Sequence, residues 1–140
     1  MFTYYMPTQV FFGKGCIAES GQVLADLGKR ALLVTGRHSA KVNGSQDAFT
    51  GKLDELGISW YLFDDVENNP SIDTIRRAAA FAKEKGVDFV VGIGGGSPMD
   101  AAKAIALLCT DDLDDEQLFK GPYKKPLPIV AVPTTAGTGS

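Results

Sequence analysis

Histidine and cysteine are the scarce residues of this chain. Among 140 residues there is one histidine, His38, and there are two cysteines, Cys16 and Cys109. A single histidine nearly excludes a His-based metal site or a Ser-His-Asp triad built within these residues. The cysteines have no metal-ligand spacing and read as buried free thiols in a reducing compartment. No basic tract occurs and the net charge is −3, which argues against nucleic acid as the partner. No apolar run is long enough to span a bilayer, and Met1-Phe2-Thr3-Tyr4 opens no signal-peptide pattern. A soluble, cytoplasmic protein is expected, with no membrane contact. Internal repeats and low-complexity tracts are also missing.

What is present suits a packed domain. Apolar residues make up 44% and charged residues 22%, so the chain is globular rather than disordered. A length of 140 residues allows one domain with a sizeable core. Residues 4–12 read as extended, with Pro7 suited to an edge. A helical stripe follows at Ile17, Gly21, Leu24 and Leu27, and Gly28 ends it. Residues 31–35 are a short continuous apolar run, as in a strand covered on both faces. Residues 36–44 read as a polar loop. Phe49, Leu53 and Leu56 mark the next helix, stopped by Gly57, and residues 59–63 the next strand.

Residues 64–70 form a loop, and Ser71 suits the N-cap of a helix carrying Ile72, Ile75, Ala79 and Ala82 inward. Gly86 closes that helix, and residues 88–93 form a further strand. A helix from Pro98 buries Ala101, Ile105 and Leu108. Residues 111–116 are acidic and residues 121–128 rich in lysine and proline; both read as solvated surface. Residues 129–132 are a last short strand. Strands alternating with helices imply an α/β domain: a mainly parallel, Rossmann-like sheet with helices on both faces.

In such sheets ligands bind beyond the carboxyl ends of the strands. The loops there are residues 36–41, 68–70, 94–97 and 133–140, which would line one crevice. GIGGGSPMD, residues 92–100, is the centre of it. Gly94, Gly95 and Gly96 let backbone N–H groups approach a ligand, with Ser97 as N-cap and Pro98 first in the helix. A helix N-terminus is an anion site, and a nucleotide pyrophosphate is the anion expected. The same glycines would also serve a plain tight turn. Gly92-x-Gly94-x-x-Ser97 approximates the dinucleotide fingerprint, but no acid follows ~20 residues on in the next strand. Asp100 is placed to complete a capping box with Ser97.

Arg37, Ser39 and Lys41 offer a guanidinium, a hydroxyl and an ammonium, a set able to hold a phosphate monoester. A solvated basic loop is the plain alternative, and His38 reads as a loop residue. Thr134, Thr135 and Thr138, among Gly137 and Gly139, form a second hydroxyl-and-glycine loop suited to a ribose or phosphate. A domain rarely ends inside such a loop, so a second domain is expected beyond Ser140. Its removal would expose an apolar face and favour self-association.

GGGSPMDAAKAIA together with IVAVPTTAGTGS resembles the iron-containing, or group III, alcohol dehydrogenases. YYMPTQVFFGKG, RALLVTG and the Asn68-Asn69-Pro70 turn extend the resemblance over the whole chain. It implies a nucleotide-binding α/β domain here and a helical, metal-binding domain beyond it. Pyrophosphate would bind at Gly95, Gly96 and Ser97, in a motif that includes Asp100. Further cofactor contacts would come from Asn69 and, towards the nicotinamide, from Thr134, Thr135 and Thr138. The family's metal ligands, an aspartate and three histidines, have no counterparts here, so iron or zinc would bind only in the complete enzyme.

The resemblance further implies a small alcohol or aldehyde as substrate and allows a homodimer. NAD-preferring members carry an aspartate where Gly36 stands, to hold the ribose hydroxyls. Its replacement, followed by Arg37, Ser39 and Lys41, implies NADP before NAD. By itself the chain would bind cofactor and turn over nothing. A glycerol dehydrogenase or dehydroquinate synthase relative, or a non-catalytic nucleotide module, is the alternative. A GGDG-type kinase loop lacks its aspartate here.

Overall fold

The computed structural model describes residues 1–135, apart from the Ser39 side chain. Its elements are α1 (Cys16–Glu19), α2 (Gly21–Leu27), β1 (Arg30–Gly36), α3 (Ser39–Val42), α4 (Ser45–Glu55) and β2 (Ser59–Val66). They continue with α5 (Ile72–Lys85), β3 (Phe89–Gly94), α6 (Gly96–Leu108), α7 (Asp115–Lys120) and β4 (Ile129–Pro133). The four strands form one sheet in the order β2-β1-β3-β4, and every pairing is parallel. This is the α/β architecture that the alternation of apolar runs implies.

Successive residues of a strand point to opposite faces, and the core divides accordingly. Leu32, Val34 and Val90 pack with Ile75, Ala78 and Ala82 of α5 and with Ala102 and Ile105 of α6. Ala31, Leu33, Phe89, Val91 and Ile93 pack on the other face with Leu24, Phe49 and Leu53. Helices therefore cover both faces, and β1 and β3 are buried on both sides. Each large aliphatic side chain so buried contributes ~1.5–3 kcal/mol. α6 lies especially close to the sheet. A Cβ at Gly92 would come 3.0 Å from Ala102 Cβ and 3.1 Å from the Pro98 carbonyl oxygen.

Five local expectations change. Residues 4–12 join no strand; among the described residues nothing pairs with their backbone, and Pro7 has no N–H to offer a ladder. The first helix breaks at Ser20, whose hydroxyl donates back to the Cys16 carbonyl, leaving α1 and α2. The polar loop after β1 contains the single turn α3. β2 runs on through Asp64 and Asp65 to Val66, because Val66 is buried and pairs with Gly36. Cys16 and Cys109 are unpaired but half-buried rather than fully buried. Partial burial still pushes the Cys109 thiol up from its ordinary value.

Candidate functional site

The strand order reverses direction between β1 and β3. The chain moves outward from β1 to β2, then returns across β1 to β3. Their carboxyl ends, Gly36 and Gly94, therefore flank the crevice where ligands bind in open α/β sheets. The site is built around that point.

β3 carries straight into α6. Gly94 has φ 136°, open only to glycine, and its carbonyl accepts from the Thr134 N–H at 2.8 Å. The helix begins at Gly96, with Gly95 as N-cap, so Ser97 is not the cap expected from its residue type. β3 stays extended and buried through Gly94, which leaves a single residue for the turn. Gly95 has no side chain to cap the helix, and the N–H groups of Gly96 and Ser97 have no intrahelical acceptor. A Cβ on Gly95 would meet Thr135 Oγ1 at 3.4 Å, so the Thr135 hydroxyl lies over this turn.

Ser97, released from capping, meets the next loop: its hydroxyl accepts from the Asn69 N–H at 3.3 Å. Asn69 has φ 52°, a left-handed conformation that asparagine tolerates better than most residues. Glu67 holds this turn. Its carboxylate accepts from the Ser71 N–H at 2.7 Å and from the Thr74 hydroxyl at 2.9 Å. The Ser71 N–H first, and then the Thr74 hydroxyl, lower the Glu67 carboxyl to about 2. Ser71 caps α5 as expected, accepting from the Thr74 N–H at 3.2 Å. The reading of residue types missed Glu67; its signal was a carboxylate four residues before an N-cap serine.

The third group lies at the end of β1. Gly36 pairs with Val66, and a Cβ there would be 3.7 Å from the Val66 carbonyl oxygen, an ordinary contact. Arg37 is paired with Asp65. Its Nε and Nη2 both donate to Asp65 Oδ1, at 3.0 and 2.8 Å. Arg77 Nη2 reaches Asp65 Oδ2 at 3.2 Å. Hydrogen bonding from Arg37 first, and then Arg77, holds the Asp65 carboxyl below its ordinary value. Ser39 opens α3 and Lys41 lies exposed in it; His38 is also exposed, its carbonyl accepting from the Val42 N–H.

The structure thus brings together Gly94 with Thr134, Gly95 with Thr135, and Ser97 with Asn69. Thr138 lies outside the described residues. Asp100 makes no capping box, because the helix starts at Gly96 and Ser97 is its second residue; it is exposed, with Oδ1 3.4 Å from Lys103 Nζ.

Backbone N–H groups at an uncapped helix start, with the Ser97 and Thr135 hydroxyls beside them, are a donor set that fits a pyrophosphate. Among the described residues, no three His, Cys, Asp or Glu side chains converge to hold a metal ion. No helix among them is long and apolar enough to cross a membrane.

The sequence pattern of iron-containing alcohol dehydrogenases matches residues 7–140. The chain belongs to the iron-containing alcohol dehydrogenase family. It is similar to NADH-dependent butanol dehydrogenase A of Clostridium acetobutylicum, with 42% identity over 141 residues, covering 99% of this chain and 36% of that protein. The mitochondrial hydroxyacid-oxoacid transhydrogenase of Caenorhabditis elegans is 39% identical over 138 residues, covering 92% of this chain and 30% of that one. In structure, the chain is similar to an iron-containing alcohol dehydrogenase from Thermotoga maritima. The TM-score is 0.92 at 50% identity, over 99% of this chain and 39% of that one. The chain thus spans about a third of the length of the curated relatives it matches.

Proposed function

We propose that these residues are the nicotinamide-dinucleotide-binding part of a metal-dependent alcohol dehydrogenase with a preference for NADP. The observation that carries the nucleotide reading is the uncapped start of α6 at the reversal point of the sheet. The turns holding Asn69 and Thr134–Thr135 close on the same point. Gly96 and Ser97 would bind the pyrophosphate, and Asn69, Thr134, Thr135 and Thr138 the rest of the cofactor. When bound, the nicotinamide would accept hydride from a primary alcohol or return it to an aldehyde. The metal and the alcohol would be held by a helical domain outside these residues. A homodimer fits the exposed apolar side chains described below. Two unpaired thiols fit a cytoplasmic setting.

The cofactor preference rests on the end of β1. Gly36 supplies no carboxylate to bind ribose hydroxyls or repel a 2′-phosphate, and Arg37, Ser39 and Lys41 follow it. The butanol dehydrogenase relative is named for NADH, so the preference is testable against that likeness. Metal-free calorimetric titration with NADP and with NAD should give tighter NADP binding. Gly36→Asp has room for its Cβ and should invert the order. A variant that still strongly prefers NADP would remove this loop from the cofactor site.

A further inference from the structure

The bulge in β2 places a carboxylate where the proposed function calls for positive charge. β1 and β2 pair one to one from Arg30–Ser59 to Val34–Phe63, and then Gly36 lies opposite Val66. β2 therefore carries an extra residue across that step, and such bulges re-aim side chains. Asp65 lies in the bulge, against Arg37 on one side and Arg77 on the other. Arg77 is fixed in turn, its guanidinium 5.7 Å from the centre of the Phe63 ring.

The way Asp65 engages Arg37 matters. Guanidinium has five N–H donors in a fixed plane. Asp65 Oδ1 takes the Nε and one Nη2 donor, which form the side edge of that plane. The end edge, with one Nη1 donor and the second Nη2 donor, lies outside these two bonds. That edge matches two oxygens of a phosphate. Two guanidinium groups face one carboxylate, so the cluster keeps an excess positive charge.

We propose that Asp65 is a positioning residue for the 2′-phosphate of NADP: it grips the side edge of Arg37 and presents the end edge to the phosphate. This rests on the NADP reading above. It runs against simple charge repulsion, which would make Asp65 an obstacle to a phosphate. At this exposure, with 64% of the Arg37 side chain open to solvent, long-range repulsion is screened. Losing the orientation of a long, mobile side chain then outweighs losing one negative charge.

Titration of the chain with NADP and NAD separates the possibilities. Asp65→Ala should bind NADP ~10-fold more weakly, the scale of one charge-assisted hydrogen bond, with NAD affinity within ~2-fold. Asp65→Asn, whose amide oxygen still accepts, should fall between. Tighter NADP binding in Asp65→Ala would mean that the carboxylate acts by repulsion and overturn the proposal. Equal losses for both dinucleotides would mean a structural role and also overturn it. If Asp65→Ala fails to fold, Asp65→Asn decides alone: weaker NADP binding at unchanged NAD affinity supports the positioning role, and tighter NADP binding overturns it. If the unsubstituted chain binds the two dinucleotides alike, the NADP reading fails first, and the proposal fails with it.

Discussion

Single atoms decide how the crevice is built. Gly92 lets α6 approach β3, because a methyl group there would press on Ala102, Pro98 and Met99 at once. All three contacts involve α6, the helix proposed to carry the anion site. Gly92→Ala should destabilise the chain by ~1–3 kcal/mol, read from the denaturant midpoint. It should also weaken dinucleotide binding by displacing the α6 start. Thr35 is the opposite case. Its hydroxyl is buried at the end of β1 without a hydrogen-bond partner among the described residues. Thr35→Val keeps the shape and removes the unsatisfied group, so the midpoint should rise by the equivalent of ~1–2 kcal/mol. No change would mean that the hydroxyl finds a partner in solution.

The glycine turn after β3 and the hydroxyl loop after β4 could be read from residue type, because backbone approach and hydroxyl chemistry are local properties, whereas Asn69 entered only through the family resemblance. Asp65 and Glu67 were not. Their roles depend on the β2 bulge and on the return of the chain after Pro70, which bring Arg37, Ser71 and Thr74 to them.

At the scale of elements, the apolar runs of β1 and β3 and the stripe of α5 could be read directly. The strand-to-helix junction at α6 could not. Ser97 has the chemistry of an N-cap, but the extent of β3 determines which residue occupies that position. α7 was hidden in charged sequence, although Asp114 and Gln117 form a capping box there. The loop between β2 and α5 carries a pH dependence. The Glu67 carboxyl is held at about 2, below its usual 4.5. A depressed carboxylate contributes stability above its unfolded value and loses it as pH falls towards the folded value.

The thermal midpoint of the chain should therefore exceed that of Glu67→Gln at pH 7. The gap should narrow as pH drops from about 4.5 towards about 2, the two values that bound the window. A gap independent of pH would show that the Glu67 charge does not hold the turn. The same variant should loosen the Asn69 turn and weaken dinucleotide binding at neutral pH.

At the scale of the molecule, one feature lies apart from the packed sheet. Phe2, Tyr4, Tyr5, Phe11 and Phe12 are all exposed, in a segment that forms no helix or strand. Exposed apolar groups of this density mark a surface that associates. The chain should show concentration-dependent self-association by sedimentation, and Phe11→Asp with Phe12→Asp should reduce it. A monomer at all concentrations would exclude that role.

The strand order has a consequence for how the molecule opens. β1 and β3 are interior and each has two neighbours, whereas β2 and β4 have one apiece. Amides of the interior strands should exchange with deuterium only when the whole sheet comes apart, and those of β2 and β4 through smaller excursions. The crevice is anchored on the two slow strands. Partial fraying at either flank would therefore strip Asp65 or the Thr134–Thr135 turn from the crevice, while the Gly36 and Gly94 ends would be lost only in global unfolding.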